Sequence, residues 1–264
     1  MKKCLIILNR YKEEAVLISK DIEDFLKKKN IESISLFFEK DTKGFSLEGI
    51  SFVITLGGDG TVLYAARIAC KHQIPVFPIN LGQFGFIAGI DPQKWQEPLT
   101  QFIENKLPVA ERTLLDVKVL RKDEIIFTST PLNDAVIRTG GPAQISELIV
   151  EYNNRSFGKF KADGIIVATS TGSTAYSAAA GGPIIDPALR VLLLIPVCPF
   201  SLSNRPLVLP PEGTLEAIVQ PSRAKSVVLT ADGQITVDLE VGDIIKFHLA
   251  RNSYVGRTKA YTEF

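Results

Sequence analysis

The apolar positions of the first hundred residues fall into two alternating textures. Leu5 to Leu8, Ile34 to Phe38, Ile50 to Leu56 and Pro75 to Asn80 are short, mostly continuous runs with the β-branched content of buried strands. Between them, Glu13 to Lys29 sets Val16, Leu17, Ile22, Phe25 and Leu26 on a helical stripe with charges opposite. Val62 to Lys71 has helical spacing with Thr61 as its N-cap, residues 41–49 read as a loop, and Trp95 to Lys106 closes the pattern as a third helix. Strand, helix, strand, loop, strand, helix, strand is the alternation of an open, mostly parallel sheet. The expectation is a Rossmann-like α/β nucleotide-binding domain.

From about Leu107 the period shortens. Leu114 to Leu120, Glu124 to Thr128, Asp134 to Thr139, Glu147 to Tyr152, Arg155 to Lys161 and Gly164 to Ala168 are brief segments separated by turns. Leu207 to Leu209, Leu215 to Val219, Ser226 to Thr230, Thr236 to Leu239 and Asp243 to Leu249 continue the series. Such a run predicts an antiparallel, β-sandwich-like domain. The boundary falls in the Lys106 to Arg112 region: an α/β domain over 1–107, a β-rich domain over 108–250, and a segment, 251–264, that packs back on the first domain. No Gly/Ser/Pro tract separates the two domains.

Composition narrows the function. With 264 residues, 45% hydrophobic and 22% charged, the chain can bury two modest cores. Its net charge of +1, and the lack of a basic run beyond Lys27-Lys28-Lys29, exclude nucleic acid as the expected partner. Cys4, Cys70 and Cys198 form no CxxC pattern, so neither a disulfide framework nor a metal site is expected, and a cytoplasmic location fits. The apolar stretch after Met1-Lys2-Lys3 ends at Asn9-Arg10, too short for a signal peptide. Val191 to Phe200 contains two prolines and falls short of the ~20 residues of a membrane-spanning helix, so no membrane partner is expected.

The candidate chemistry centres on Thr55-Leu56-Gly57-Gly58-Asp59-Gly60-Thr61, where a strand runs through a tight loop into a helix. Gly57, Gly58 and Gly60 let a phosphate or sugar approach the backbone, and N–H groups at a helix start favour anions. Asp59 would repel a polyphosphate unless it holds a metal ion or accepts a proton from an attacking hydroxyl. A glycine-rich turn capped by Asp59 is the competing reading. Asn80 to Phe86 forms a second glycine loop at the end of the next strand, expected near the first. Its Phe84 and Phe86 either line a nucleotide pocket or flank a turn as core residues. In Ala162 to Pro183 a buried strand enters a Ser/Thr/Gly loop and then an alanine-rich helix, suggesting either anion or sugar binding or a series of N-caps.

Taken together, these stretches resemble the NAD kinase family. The resemblance spans essentially the whole chain: Gly57 to Thr61, Asn80-Leu81-Gly82 with Gly85-Phe86, Asn133-Asp134, Asp163-Gly164 through Thr171 to Tyr176, Gly181-Gly182-Pro183, Ser203 to Pro206 and Asp232-Gly233-Gln234. The glycine loop alone also occurs in diacylglycerol-type lipid kinases and phosphofructokinases, whereas all these motifs in this order are specific. The resemblance implies transfer of a γ-phosphoryl group to the adenosine-ribose 2′-hydroxyl of NAD, from ATP or polyphosphate, with Mg2+ or another divalent metal on the ATP phosphates.

Carried over by position, Asp59 is the base, and Gly57, Gly58, Gly60 and Thr61 surround the phosphates. Phe86, Asn133, Asp134, Asp163, Thr171, Ser173, Thr174, Ala175, Tyr176 and Gln234 contact the nucleotides. The family assembles as homodimers or homotetramers. Two departures stand out: Ser170 replaces the usual proline, which loosens its loop, and Phe200 replaces a common histidine. His72 and His248 read as structural or surface residues. A lipid or sugar kinase and a non-catalytic NAD(P) sensor are the alternatives. An oxidoreductase is disfavoured, because no GxGxxG follows the first strand.

Overall fold

The computed structural model describes residues 2–38, 46–82, 85–141, 145–201 and 203–250, and the backbone of 254–256. In chain order the first elements are β1 (Lys3–Leu8), α1 (Glu13–Lys28), β2 (Glu32–Phe37), β3 (Phe52–Gly57), α2 (Asp59–Ala69), β4 (Val76–Asn80), α3 (Gln96–Ile103) and β5 (Ala110–Arg112). β2, β1, β3 and β4 pair in parallel in that order. Ile6, Ile54, Phe77 and Ile79 pack with Ile22 and Leu26 of α1 and Leu99 and Phe102 of α3. Leu5, Ile7 and Val53, alternating with them, are fully buried as well, and α2 lies against β3 and β4. Strands covered on both faces read as unbroken apolar runs, the pattern seen in the sequence.

Two local expectations are corrected. The buried stripe of α1 is Ala15, Ser19, Ile22 and Leu26, while Val16 and Leu17 face solvent. Both sit one or two residues off the line of that stripe, at about 100° per residue. Thr61 is not the N-cap of α2: Gly58, in an extended conformation, holds that position, and the helix begins at Asp59.

The second unit contains β6 (Leu115–Arg121), β7 (Glu124–Ser129), β8 (Asp134–Thr139), β9 (Ser146–Tyr152), β10 (Arg155–Ala162), β11 (Gly164–Ala168), a 3-10 turn over Thr171–Thr174, α4 (Tyr176–Ala179), β12 (Leu192–Val197), β13 (Leu207–Leu209), β14 (Leu215–Val219), β15 (Val227–Ala231), β16 (Ile235–Leu239) and β17 (Ile244–Leu249). Among the described residues these strands form two six-stranded antiparallel sheets, ordered β10-β9-β14-β17-β6-β7 and β13-β12-β11-β8-β15-β16. Their facing sides share one core, in which Val117, Val119, Val150, Ala217, Ile245 and Phe247 meet Ile137, Ile165, Val167, Leu194 and Leu229. Three hairpins turn on residue pairs with positive φ, Lys122-Asp123, Asn153-Asn154 and Asp232-Gly233. In the two-residue connections at Lys122-Asp123 and Asn153-Asn154 that is the twist a right-handed strand pair requires; the β15–β16 connection has three residues between its last paired residues, Ala231 and Ile235. An α/β layer followed by an antiparallel sandwich is the fold class expected from the sequence.

β12 lies within the run Val191 to Phe200, for which the sequence pattern predicts no strand, and it contains Pro196. It pairs with β11 along its length but with β13 only over Leu192–Leu194, so at Pro196 one side of the strand has no neighbour to receive an N–H. The alanine-rich helix shrinks to the single turn of α4, after which Gly181 at φ +82° reverses the chain. Gly182 then passes so close to Ser177 that a Cβ would lie 2.4 Å from its Oγ.

After β17 the chain returns. β18 (Tyr254–Gly256) joins the first sheet between β4 and β5, pairing parallel to β4 at Val76 and antiparallel to β5. The compact units are therefore residues up to Arg112 joined by β18, and residues from Thr113 through β17. Among the described residues, no helix is long and apolar enough to cross a membrane.

Candidate functional site

In the first unit the connection from β1 runs outward to β2, whereas that from β3 runs the other way to β4. The sheet order thus reverses between β1 and β3. In open α/β sheets, ligands bind beyond the carboxyl ends of the strands flanking such a reversal. Gly57-Gly58-Asp59-Gly60 occupies that end of β3, and Asn9, ending β1, donates its N–H to the Leu56 carbonyl at 2.9 Å.

The loop glycines do different work. A Cβ on Gly57 would sit 2.2 Å from Thr61 Oγ1 and 3.2 Å from Asn9 Cβ, so this glycine lets the first turn of α2 close onto the strand end. At Gly58 a Cβ would meet nothing within 4 Å, which makes it the open face of the loop. Gly60 is exposed; Thr61 is buried, and its hydroxyl has no partner among the described residues.

Asp59 does not cap α2. Its carboxylate instead takes three consecutive backbone N–H groups from the second glycine loop. Phe86 donates to Oδ2 at 3.0 Å, and Ile87 and Ala88 donate to Oδ1 at 3.2 and 2.9 Å. Leu81 also donates its N–H to the Gly57 carbonyl, so the two loops are adjacent, as expected. Gly85 permits the approach, since a Cβ there would lie 2.5 Å from Asp59 Oδ1. A carboxylate offers about two acceptor positions per oxygen. Oδ1 is filled, and Oδ2 keeps one position open. Phe86 is 43% exposed and is not a core residue; Gln83 and Phe84 lie outside the described residues.

The second unit has a cavity of about 380 Å³ whose walls include Asn133, Asp134, Ala175, Tyr176, Asp232 and Gly233. Asp232, at the β15–β16 turn, accepts N–H bonds from Leu132, Asn133 and Asp134 at 3.0, 2.8 and 3.3 Å. Asp134 is buried, and among the described residues its carboxyl receives no hydrogen bond. Burial, with the negative charge of Asp232 added, pushes it up to about 7. Asn133 Oδ1 is likewise buried without a partner. Tyr176 is 46% exposed at the mouth.

Thr169 stitches this wall together, its hydroxyl donating to the Leu132 carbonyl at 2.6 Å and accepting the Gly172 N–H at 3.1 Å. Gly172 rides directly on the Asn133 backbone, where a Cβ would fall 2.1 Å from the carbonyl oxygen. The cavity therefore depends on Thr169, Gly172 and Asp232, three residues that sequence reasoning did not place in the site. The Asp-Gly pair between two alternating segments marked a hairpin. Nothing local revealed that its carboxylate serves a segment about a hundred residues earlier.

Other expected site residues lie elsewhere. Ser173 is fully buried, its hydroxyl bonded to both the N–H and the carbonyl of Ile185, so it holds the segment rather than facing the cavity. The Thr171 hydroxyl is buried without a partner among the described residues, and Thr174 Oγ1 donates to the Thr171 carbonyl at 3.3 Å. Gln234 closes the hairpin through its N–H to the Ala231 carbonyl. Asp163 is exposed and stands one residue before β11, at the end opposite the 3-10 turn; its carbonyl accepts the Thr139 N–H at 3.2 Å, beside Arg138, which lines the cavity. The Ser170 hydroxyl donates to the Leu189 carbonyl, tying this loop to the segment before β12. Phe200 is exposed. Among the described residues, no group of three or more His, Cys, Asp or Glu side chains is arranged to hold a metal ion.

Family models match the chain in two blocks: the ATP-NAD kinase N-terminal domain over residues 27–107 and the ATP-NAD kinase C-terminal domain over 132–255. An NAD kinase of Treponema denticola is 47% identical over 246 residues, covering 93% of this chain and 87% of that protein. One from Treponema pallidum is 40% identical over 242 residues, 91% of this chain and 79% of that protein. Among solved structures, an NAD kinase from Archaeoglobus fulgidus in complex with ATP aligns with a TM-score of 0.78 and 26% identity, covering 98% of this chain and 94% of that one. A yeast NADH kinase complexed with NADH shares the fold with a TM-score of 0.89 at 23% identity, over 99% of this chain and 84% of that one.

Proposed function

The chain belongs to the NAD kinase family and is a phosphotransferase, and from that premise we propose that Asp59 accepts the proton of the NAD 2′-hydroxyl as that oxygen attacks the γ-phosphorus of ATP. The observation that carries this reading is the carboxylate held by three backbone donors with one acceptor position of Oδ2 left open. As the new O–P bond forms, the bond from the γ-phosphorus to its bridging oxygen breaks and ADP departs. The hydroxyl proton passes to Oδ2 and then to solvent. Phosphoryl transfer has a loose transition state, so alignment and charge neutralisation matter more than the strength of the base.

The open backbone at Gly58, at the N-terminal end of α2, suits phosphate oxygens. A divalent metal fits this reading as part of the substrate, carried on the ATP phosphates, since the described residues form no cage of their own. In the second unit, Asn133, Asp134, Ala175 and Tyr176 are the residues we assign to the dinucleotide. ATP as donor is supported over polyphosphate by the ATP-NAD kinase family models and the ATP complex of the Archaeoglobus relative. The matches to NAD kinases over both units favour this acceptor over a lipid or sugar. A homodimer or homotetramer in the cytoplasm is part of the proposal, supported by exposed Ile125 and Ile126 on the edge strand β7 and by three free cysteines.

The test is NADP formation from NAD and Mg-ATP by the purified protein, with Asp59→Asn alongside. An amide oxygen keeps the Ile87 and Ala88 bonds and loses that of Phe86, so thermal melting is recorded in parallel. The expected result is a folded variant slowed at least ~10²-fold. Near-wild-type turnover in that folded variant would remove Asp59 from the chemistry.

A further inference from the structure

The cavity of the second unit brings together two carboxyl groups with opposite surroundings. Asp232 receives three backbone N–H donors, a set that stabilises the ionised form. Asp134, only 5% exposed, receives none among the described residues. The charged or titratable groups sharing the cavity with it are Asp232 from the β15–β16 turn, Arg138 farther along β8 and Tyr176 from α4. Of these, the charge acting on Asp134 is that of Asp232. Two buried like charges in one cavity do not both persist, and the group without donors is the one that takes up a proton. Beside it, Asn133 Oδ1 is a second buried acceptor lacking a donor. This wall offers acceptors that the donors of an incoming ligand can satisfy.

We propose that Asp134 is a proton-linked reader of the dinucleotide: neutral in the unliganded protein, it ionises when hydroxyl or amide N–H donors of the bound nucleotide reach it, and its proton leaves to solvent. This rests on the reading that NAD occupies the cavity. The balance is simple, with one O–H bond of the carboxyl broken, one proton released and no redox change. The donors involved belong to ribose hydroxyls and amide groups, which NAD and NADH share. Binding is therefore coupled to pH for both redox forms. With Asp134 titrating at about 7 in the free protein, affinity falls about tenfold from pH 8 to pH 6.

The experiment is calorimetric titration of NAD, and separately NADH, into the full chain in two buffers of different ionisation enthalpy. At pH 7 the expected release is about half a proton per site, vanishing by pH 9. Asp134→Asn, checked for folding by its melting curve, should bind without proton release. Asp134→Glu should restore the release with a displaced midpoint. NAD binding with no proton exchange at pH 7 overturns the proposal. So does exchange seen with NAD and absent with NADH, which would set the pyridinium charge, and not a shared donor, against Asp134. Failure to bind NAD at any pH overturns the assignment of the cavity to the dinucleotide and this inference with it.

Discussion

Replacing Gly85 by alanine tests whether the second loop positions Asp59. The added Cβ would lie 2.5 Å from Oδ1 and 3.0 Å from Cγ. That is roughly 0.9 Å inside ordinary van der Waals contact, and the carboxylate or the loop must withdraw by about that much. Such a shift takes the 2.9 and 3.2 Å bonds from Ala88 and Ile87 beyond hydrogen-bonding range. Bonds to a charged acceptor contribute about 1.5–3 kcal/mol each. Asp59 is half-buried and water replaces part of the loss, so we expect destabilisation of about 1–3 kcal/mol. A displacement approaching 1 Å at a reacting group costs on the order of 10²-fold in rate.

The assay is kcat/KM for NADP formation together with thermal melting, and Gly58→Ala is the companion variant. That glycine has φ −97° and open space around its missing Cβ, so its alanine variant should melt like the wild type. Loss of activity in Gly58→Ala without loss of stability would report phosphate approach at that face. Wild-type kcat/KM in Gly85→Ala would refute the claim that the loop sets the carboxylate.

Two further outcomes follow from the second unit. Gly172→Ala forces a Cβ to 2.1 Å from a backbone oxygen that has nowhere to go, and should cost more than about 3 kcal/mol; an unchanged denaturation midpoint would contradict the packing described. Asp134→Asn should alter the pH dependence of stability. Asp134 holds its proton up to about 7 when folded and loses it near 3.8 when unfolded, so folding takes up a proton between those values and the wild type weakens as pH rises through that window. The asparagine variant lacks this loss and should gain on the wild type by up to about 4 kcal/mol above pH 7. A difference in denaturation midpoint that is the same at pH 5 and pH 8 would refute it.

The strands were legible where burial leaves a period. β6, β14 and β17 bury every second residue, and β1 and β3 bury nearly all of theirs, two patterns a reader of sequence can separate. β12 was hidden because Pro196 is tolerated only through the shortness of β13, a tertiary fact. The alanines of 178–180 carry helix propensity, yet Gly181-Gly182-Pro183 turns the chain back after one turn. The glycine loop was visible because strand, glycines and helix adjoin in the chain. The clamping of Asp59 by residues 86–88, and of Asp232 onto residues 132–134, was not, because each pairs a side chain with distant backbone that carries no residue-type signal.

The place of β18 bears on how this chain is made. The first sheet is continuous only once Gly256 pairs with Val76, a contact that closes a loop containing the whole second unit. During synthesis β4 leaves the ribosome early with one edge bare, and β5 with no strand partner at all, while some hundred and forty residues of sandwich are translated before β18 arrives. The first unit is thus begun first and finished last. Its open edge is the interval in which a nascent chain of this architecture is most exposed to pairing with the wrong strand.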